Sequence, residues 1–326
     1  MHAAVLRYFD HVARHGSIRK AADALSVASS AVNRQILRLE DELGVALFER
    51  GRQGVRPTAA GELLLRHVRE TQNDYQRMRA EIASLGGTVS GDVRIISLES
   101  LLVRFLPLVV QEMSAKHPQV TFTVLAVHPS EISEALRSGD NDFGVLFVDN
   151  RHRGVDMVAE FPTAVGALMR PDHPLAGRKS LTLTECVGHP VVMLQDRWLL
   201  DAIMATEFAD SGARLSPRIV SNSIEFMRQV IKSGLGIGFF TPVGFLEEIR
   251  RGDLVHVPLA EPGLAQSRIG ILVPRYRRLS PPARLMIDHI SERLRSFDDF
   301  LAAPVRPAPR STSRPAQRRA KSRSKT

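Results

Sequence analysis

The strongest structural signal in this sequence is a narrow apolar seam between residues 64 and 85. Its members recur at alternating steps of four and three residues, and they are Leu64, Val68, Thr71, Tyr75, Met78, Ile82 and Leu85. A strict heptad of this kind is typical of a coiled coil and is narrower than the stripe of a helix packed on a core. The seam therefore predicts one long helix over residues 58–87, with a short segment before it and a long one after it.

The partner of this helix is the next question. A narrow seam between two domains is best satisfied by the same helix of a second chain, with Leu64, Val68, Tyr75, Met78 and Ile82 as the dimerisation residues. The alternative is that the stripe packs against a domain of its own chain. We expect a homodimer, or a homotetramer built from dimers.

The positive charge of the chain is concentrated at its two ends. The 326 residues carry a formal net charge of +9. Residues 302–326 contain eight Lys or Arg and no acid, and residues 1–66 contain ten Lys or Arg against seven Asp or Glu. The remainder is nearly neutral. This layout indicates a nucleic-acid-binding head joined to a domain with another task.

The compartment follows from cysteine usage and hydropathy. Cys186 is the one cysteine, which excludes an intrachain disulfide framework. No stretch approaches the roughly 18 apolar residues of a membrane span, and the N-terminus lacks a secretory signal pattern. We expect a protein of a reducing cytoplasm with no membrane partner.

Three short helices and a hairpin are predicted before residue 58. Apolar stripes run through residues 5–13, 18–25 and 32–43, and the last two helices are close enough to form a helix-turn-helix. The opposite face of the third helix carries Ser30, Arg34 and Arg38. A segment with three arginines and two glycines follows at residues 50–57, and it is typical of a β-wing along a DNA backbone.

Residues 6–65 resemble the N-terminal domain of the LysR-type transcriptional regulators. The matching positions are Phe9, Val12, Gly16, Ser17, Ala21, Ala22, Leu25, Ala31, Val32, Gln35, Ile36, Leu39, Glu40, Leu43, Gly44, Leu47, Phe48, Arg50, Thr58 and Gly61. Two departures are Asn33, where the family usually has Ser, and Ser29, where it often has Gln. Both lie near the groove-facing end of the recognition helix, so an operator that departs from the family norm would be read at these two positions.

The resemblance implies a bacterial protein associated with the nucleoid, with double-stranded DNA as partner, and it supplies candidate contacts. These are Ser17, Ala28, Ser29, Ser30, Asn33, Arg34, Arg38, Arg50, Arg52, Arg56 and Thr58. Taken singly, each arginine could equally be a solvated surface charge. A dimer would place two recognition helices one DNA turn or a multiple apart, which predicts an inverted-repeat operator.

Strands alternate with helices from Gly91 onward. Strands are predicted at residues 93–97, 120–127, 143–148, 165–169, 191–194, 219–220, 237–240 and 268–273. Helices are predicted at residues 101–116, 131–138, 199–210, 224–233, 242–250 and 283–295. This alternation is typical of parallel βαβ units.

This part resembles the effector-binding domain of the same family. Marker stretches are residues 106–107, 117–118, 142–144, 173–175, 234–238 and 279–281. The fold class that follows is a two-lobed α/β domain of the type 2 periplasmic-binding-protein kind. It is preceded by an all-α winged helix-turn-helix domain (1–57) and the linker helix (58–87). The effector domain spans 91–301, with lobe I at 91–161 and 268–301 and lobe II at 162–267.

An effector would lie between the lobes, at strand ends and helix N-termini that favour an anion. Candidate wall residues are Ser97, Glu99, Ser100, Leu101, His128, Phe147, Trp198, Asn222, Ser223, Phe239 and Thr241. Several have an ordinary structural alternative: the serines as helix caps, His128 as a loop residue, and the phenylalanines as core. Glu99 would repel a carboxylate, so it either favours a cationic or neutral effector or turns outward.

No catalytic site, metal site or cofactor is expected. A triad of Ser97, His128 and Asp149 lacks a nucleophile elbow, and the glycines of residues 234–238 precede a strand where a dinucleotide loop would follow one. Residues 302–326 are expected to be disordered, and their cations either attract DNA without regard to sequence or only aid solubility.

The function expected is a LysR-type regulator that binds an inverted-repeat operator as a dimer or tetramer. A small-molecule effector in the interlobe cleft would re-aim the heads, and RNA polymerase is the further partner that the family implies. The alternative is a cytoplasmic solute-binding receptor whose head serves only for assembly.

Overall fold

A computed structural model describes residues 4–51, 54–148, 154–195, 201, 204–206, 215–275 and 277–302. These residues form a helical head, one long helix and an α/β domain of two lobes. None of the described helices combines the length and apolar character needed to cross a membrane.

Three helices make up the head, α1 (Ala4–His15), α2 (Ile18–Leu25) and α3 (Ser29–Leu43). Each contributes one stripe to a shared core that includes Phe9, Val12 and Ile36. Ala21 and Ala22 are buried on α2, and their small side chains allow α2 and α3 to pack closely. The chain turns between these helices at Ser26, whose φ is 55°. The expected helix-turn-helix is therefore present.

A two-stranded wing follows, with β1 (Phe48–Gly51) antiparallel to β2 (Gly54–Pro57). Val55 donates its backbone N–H to the carbonyl of Gly16 at 2.9 Å. Gly54 has φ of +111°, and a Cβ there would lie 2.5 Å from the Gly16 oxygen. Glycine at 54 thus allows the wing to dock on the turn between α1 and α2.

The long helix α4 (Ala59–Leu85) begins at Thr58 as N-cap and ends at Gly86. Leu65 and Val68, near its start, are part of the head core. Ala80, near its end, is buried against the first strand of the next domain, where its Cβ faces Gly91. One helix therefore connects the head core to the α/β domain.

The α/β domain contains ten strands among the described residues. In chain order its elements are β3 (Gly91–Ser97), α5 (Glu99–Leu102), α6 (Phe105–Lys116), β4 (Val120–Ala126), α7 (Ile132–Arg137), β5 (Phe143–Phe147), β6 (Val155–Pro162), β7 (Gly166–Met169), β8 (Val191–Leu194), β9 (Pro217–Ser221), α8 (Ile224–Lys232), β10 (Ile237–Phe240), α9 (Leu246–Arg251), β11 (Val255–Pro258), α10 (Pro262–Ala265), β12 (Arg268–Pro274) and α11 (Pro281–Ala302).

Two five-stranded sheets define the two lobes. Lobe I has the strand order β4-β3-β5-β12-β6, and lobe II has the order β11-β7-β10-β8-β9. The chain passes between them after β6 and again before β12. The two crossings are hydrogen-bonded, with Thr163 N–H donating to Ser267 and Val165 N–H donating to Leu264, at 2.8 and 2.9 Å.

The sequence-based assignment of elements was wrong in several places. Strands β6 and β11 were not predicted, because both are edge strands with few buried residues and so lack a continuous apolar run. The sheets are mixed where parallel strands were expected, since β7 and β12, which adjoin the crossings, pair antiparallel with their neighbours.

The helices also differ from expectation. The predicted helix 101–116 is two helices, with a break at residues 103–104, and the predicted helix 242–250 begins as a 3₁₀ turn at Pro242–Phe245. Helix α11 is longer than predicted and ends at Ala302. The predicted helix 199–210 and the basic tail lie mostly outside the described residues.

Candidate nucleic-acid interface and interlobe cleft

The recognition helix α3 separates an apolar face from a polar one. Val32, Ile36 and Leu39 are buried in the head core. The candidate contacts on the other face are exposed, namely Ala28, Ser29, Ser30, Arg34 and Arg38. Ala28 is the N-cap and provides no side-chain hydrogen bond. The first turn of α3 is thus open to a phosphate or a base edge, with two arginines further along the same helix.

Asn33, one of the departures from the family pattern, connects α3 to the wing. Its side-chain oxygen accepts a hydrogen bond from Arg50 Nη1 at 3.1 Å. Glu40 lies 3.6 Å from Arg50 Nη2 and also accepts the backbone N–H groups of Leu47 and Phe48, at 2.8 and 3.1 Å. These bonds fix the orientation of the wing relative to the recognition helix.

The remaining candidate contacts in the head differ in what their side chains already bind. Thr58 Oγ1 accepts from Gly61 N–H at 3.0 Å and donates to Ala46 O at 2.8 Å. Ser17 is the N-cap of α2 and accepts from Lys20 N–H at 3.4 Å. Both hydroxyls therefore have a structural role. Arg56 is exposed on the wing, and Arg52 lies outside the described residues.

The predicted dimerisation seam is divided between two environments. Val68 is 1% exposed in its own head core, and Leu64 packs against that core. Tyr75, Met78 and Ile82 are 38%, 44% and 60% exposed. Leu64 and Val68 thus pack within their own chain, as the alternative had it. The part of the seam that is open to a second chain begins at Tyr75.

Ion pairs connect the head to lobe I within one chain. Asp140, in the loop after α7, accepts Arg14 Nη2 at 2.6 Å and Arg69 Nη1 at 2.7 Å. Asp10 of α1, which is 4% exposed, lies 2.8 Å from Arg14 Nε and 3.4 Å from Arg69 Nε. Asn73 of α4 donates to Gly139 O at 2.6 Å. One loop of lobe I therefore contacts both α1 and α4.

Arg277 holds the other side of the same loop. It donates to Asn141 O at 2.6 Å and pairs with Asp142 at 3.1 Å. Burial raises the pKa of Asp142 and lowers the pKa of Arg277, since each charged group has lost much of its water. A cavity of about 60 Å³ adjoins this pair between α4 and lobe I.

Several candidate cleft residues do not line an open wall in this structure. Ser97 is fully buried, and its hydroxyl donates to the carbonyl oxygen of Val145 at 2.6 Å. The hydroxyl thus has a hydrogen-bond partner on the neighbouring strand β5. Leu101 is in the core of lobe I, and Phe239 is in the core of lobe II. Thr241 is 5% exposed. These four side chains are thus packed away from solvent in this arrangement of the lobes, and their contact with an effector stays a prediction.

Other candidates remain nearer the surface. His128 is exposed, and its Nδ1 lies 2.7 Å from Ser130 Oγ, so it caps the 3₁₀ turn at Pro129–Glu131. Phe147 is half-buried beside the lobe I core, and Asn222 is exposed. Ser223 is the N-cap of α8 and accepts from Phe226 N–H at 3.3 Å. Trp198 lies outside the described residues.

Glu99 crosses from one lobe to the other. Its Oε1 accepts a hydrogen bond from the backbone N–H of Ile224, the first residue of α8, at 3.0 Å. Beside this contact Arg104 Nη1 lies 2.8 Å from Glu247 Oε2. Val243 of lobe II is part of the lobe I core. The two lobes therefore touch directly at the C-terminal end of β3.

A buried arginine that the sequence analysis missed supports the lobe II side of this contact. Arg228 is 2% exposed, donates to Gly244 O at 2.6 Å and lies 2.7 Å from Glu248 Oε2. It also lies over the Phe245 ring, 4.8 Å from the centroid. The signal was present in the sequence, because Arg228 occupies an apolar position of α8 between Ile224 and Ile231.

Thiol and metal chemistry find little support among the described residues. Cys186 is fully buried, and burial raises the pKa of its thiol to about 12. Within the described ranges, no group of three or more His, Cys, Asp and Glu is placed to hold a metal ion.

The winged head and the two-lobed domain define a class of protein, a DNA-binding head coupled to a small-molecule-binding domain. Residues 4–62 match the bacterial regulatory helix-turn-helix domain of the LysR family, and residues 86–295 match the LysR substrate binding domain. The chain belongs to the LysR family of bacterial transcriptional regulators.

Relatives of known name are similar over nearly the whole chain. The sequence is 28% identical over 293 residues to YybE of Bacillus subtilis strain 168, an uncharacterized HTH-type transcriptional regulator, covering 88% of this chain and 98% of that protein. It is 27% identical over 290 residues to OxyR of Escherichia coli K12, a DNA-binding transcriptional dual regulator, covering 87% and 95%.

Two solved structures share the fold. A full-length OxyR variant from Pseudomonas aeruginosa superposes with a TM-score of 0.67 at 21% identity, covering 90% of this chain and 95% of that one. CbnR complexed with its target DNA gives a TM-score of 0.57 at 20% identity, covering 90% and 100%.

Proposed function

We propose that a dimer of this regulator binds an interrupted inverted repeat in DNA. The observation that carries this proposal is the exposed polar face of α3, where Ser29 and Ser30 precede Arg34 and Arg38. The arginines would hold phosphates, and the first turn would reach base edges in the major groove. The exposed seam residues of α4, which are Tyr75, Met78 and Ile82, support the pairing of two chains.

A tetramer needs a second self-association surface, and the effector domain offers candidates for one. Leu108, Leu125, Val220 and Phe226 are each about half exposed, at 48–50%. We propose the dimer as the DNA-binding unit, with the tetramer forming through the effector domains.

Selection of bound genomic fragments tests the operator. The full chain and a chain ending at residue 302 are compared at near-physiological salt. We expect enrichment of an inverted repeat with both chains, because the head reads the sequence and the basic tail adds only general attraction. Binding that shows no enrichment and is lost with the tail would contradict the proposal and favour a solute-binding receptor.

Substitution in α3 tests the contact itself. We expect Arg34→Ala to weaken operator binding, because Arg34 would hold a phosphate. The slope of the logarithm of the binding constant against the logarithm of the salt concentration should fall in magnitude by about one. Arg268→Ala is the matched control, since Arg268 is an exposed arginine of β12 that pairs with Glu160 at 3.0 Å. Equal operator affinity of the Arg34 variant and the wild-type chain would count against this assignment.

The effector site is proposed between the lobes, near Ser100, Ser223 and Asn222. A change in how the lobes meet would reach the head through the Asp140 loop, which contacts both α1 and α4.

The peroxide response in the names of some relatives is not proposed for this chain, because Cys186 is the one cysteine of the sequence and its thiol is buried and protonated. We propose no catalytic activity, and we place the protein in the cytoplasm at the nucleoid.

A further inference from the structure

Glu99 occupies a position where an anionic ligand would be expected. The N-terminus of an α-helix attracts negative charge, because its first N–H groups lack intrahelical partners and the helix dipole is positive there. At the start of α8, the N–H of Ile224 donates to Glu99, and the N–H of Phe226 donates to Ser223. The chain's own carboxylate therefore does at this helix what a bound carboxylate would do.

The contact spans the two lobes and is partly shielded from water. Glu99 begins α5 in lobe I, whereas Ile224 begins α8 in lobe II and is 2% exposed. A charge-assisted hydrogen bond in such a place is stronger than one at the open surface, and removing the acceptor leaves a buried donor unsatisfied. The Glu99 bond thus favours the closed arrangement of the lobes.

The backbone of lobe II beside this contact is held rigidly. Arg228 binds Gly244 O, and a Cβ on Gly244 would lie 3.0 Å from the carbonyl oxygen of Ser100 in lobe I. The Arg104–Glu247 pair lies on the same side. The Glu99 bond is therefore one of several contacts that join the lobes at this point.

We propose that Glu99 is an interlobe latch that holds the cleft closed without an effector and excludes small carboxylates from the N-terminus of α8. A carboxylate effector would have to displace Glu99 and would then lie beside a like charge, whereas an uncharged or cationic molecule would not. This proposal rests on the interlobe effector site of the proposed function, and it assigns that site the charge class of its ligand.

Two variants separate the charge of Glu99 from its hydrogen bond. Glu99→Gln keeps an acceptor for Ile224 but removes the charge, and Glu99→Ala removes both. Glu134→Ala is the control, because Glu134 is an exposed acid of lobe I that pairs with Arg137 on α7. Hydrogen exchange at the Ile224 amide and calorimetric binding of benzoate and acetate are measured without DNA.

We expect the Ile224 amide to exchange about tenfold faster in Glu99→Ala, and little faster in Glu99→Gln or the control. We expect benzoate to bind about tenfold more tightly to both Glu99 variants than to the wild-type chain, because the repulsion is removed. Wild-type benzoate affinity equal to that of the variants, or unchanged exchange in Glu99→Ala, would overturn the latch.

The latch can be tested even if one variant does not fold, and its test is separate from that of DNA binding. If Glu99→Ala does not fold, Glu99→Gln decides through benzoate affinity alone, since the neutral amide preserves the hydrogen bond. Operator binding is measured separately and is expected to persist in all variants. If the wild-type chain shows no sequence-specific DNA binding, the proposed regulatory function is refuted. The exchange and benzoate results do not depend on that outcome.

Discussion

A half-buried histidine lies close to the point where the chain crosses between the lobes. His256 Nε2 is 3.1 Å from Phe240 O, at the end of β10, and a Cβ on Gly166 would lie 2.4 Å from that nitrogen. Burial lowers the pKa of His256 to about 4. The neutral ring thus donates to a carbonyl in a space where glycine allows strand β7 to approach.

This pKa predicts a pH dependence of stability. The unfolded chain binds the proton of His256 more tightly than the folded chain does. The free energy of unfolding is therefore highest above about pH 6.5 and decreases as the pH falls toward 4. We expect His256→Gln, whose amide can still donate, to lack this loss, with a difference of up to about 3 kcal/mol in the free energy of unfolding between pH 7 and 4. Denaturant titrations across this range measure it.

His128→Gln is the control for this experiment, since His128 is exposed at the 3₁₀ turn of lobe I. Carboxylates titrate in the same range, so the comparison is between wild-type and variant curves. Parallel curves for the wild-type chain and His256→Gln would show that His256 does not contribute.

At the scale of elements, α4 has three tasks along its length. Its start completes the head core through Leu65 and Val68, its middle binds the Asp140 loop through Arg69 and Asn73, and its end packs on lobe I at Ala80. The seam residues from Tyr75 onward remain exposed on one side. A helix that carries intrachain contacts at both ends can thus still offer its centre and end to a second chain.

Charge in the exposed seam should break the dimer. We expect Ile82→Glu to shift the chain to monomer, because a charged carboxylate would be placed in the seam where apolar side chains would pack. Leu63→Glu is the matched control, since Leu63 is 64% exposed and lies outside the seam, whereas Ile82 is 60% exposed. Analytical ultracentrifugation decides, and a dimer of unchanged affinity in Ile82→Glu would refute the seam.

At the scale of the whole molecule, ion pairs join α1 and α4 to one loop of lobe I. Asp140 pairs with two arginines, Arg14 of α1 and Arg69 of α4, and the Arg69 side chain is only 13% exposed. A change in lobe I that moves this loop therefore changes the interactions of both helices. Such a contact can transmit a change in the effector domain to the angle of the recognition helix.

Removing the shared acceptor should free the head. We expect Asp140→Ala to broaden the distance distribution between spin labels placed by Asp23→Cys in α2 and Glu134→Cys in α7, with labelled chain diluted in unlabelled chain. Arg14 and Arg69 would keep their ion pairs with Asp10 of α1, but both would lose their ion pair to lobe I. Asp156→Ala is the control, because Asp156 pairs with the exposed Arg275 at 2.8 Å. An unchanged distribution in Asp140→Ala would rule out the coupling.

Local patterns in the sequence determined most of the elements, the winged head, the long helix and the two-lobed class, because periodicity and turn residues act over a few neighbours. They also singled out Glu99 as unusual. Only the tertiary structure decided that Glu99 bonds to Ile224, that Ser97 is buried and that Arg228 is a core residue. These outcomes depend on positions far apart in the chain, and burial is set by what the fold brings alongside each side chain.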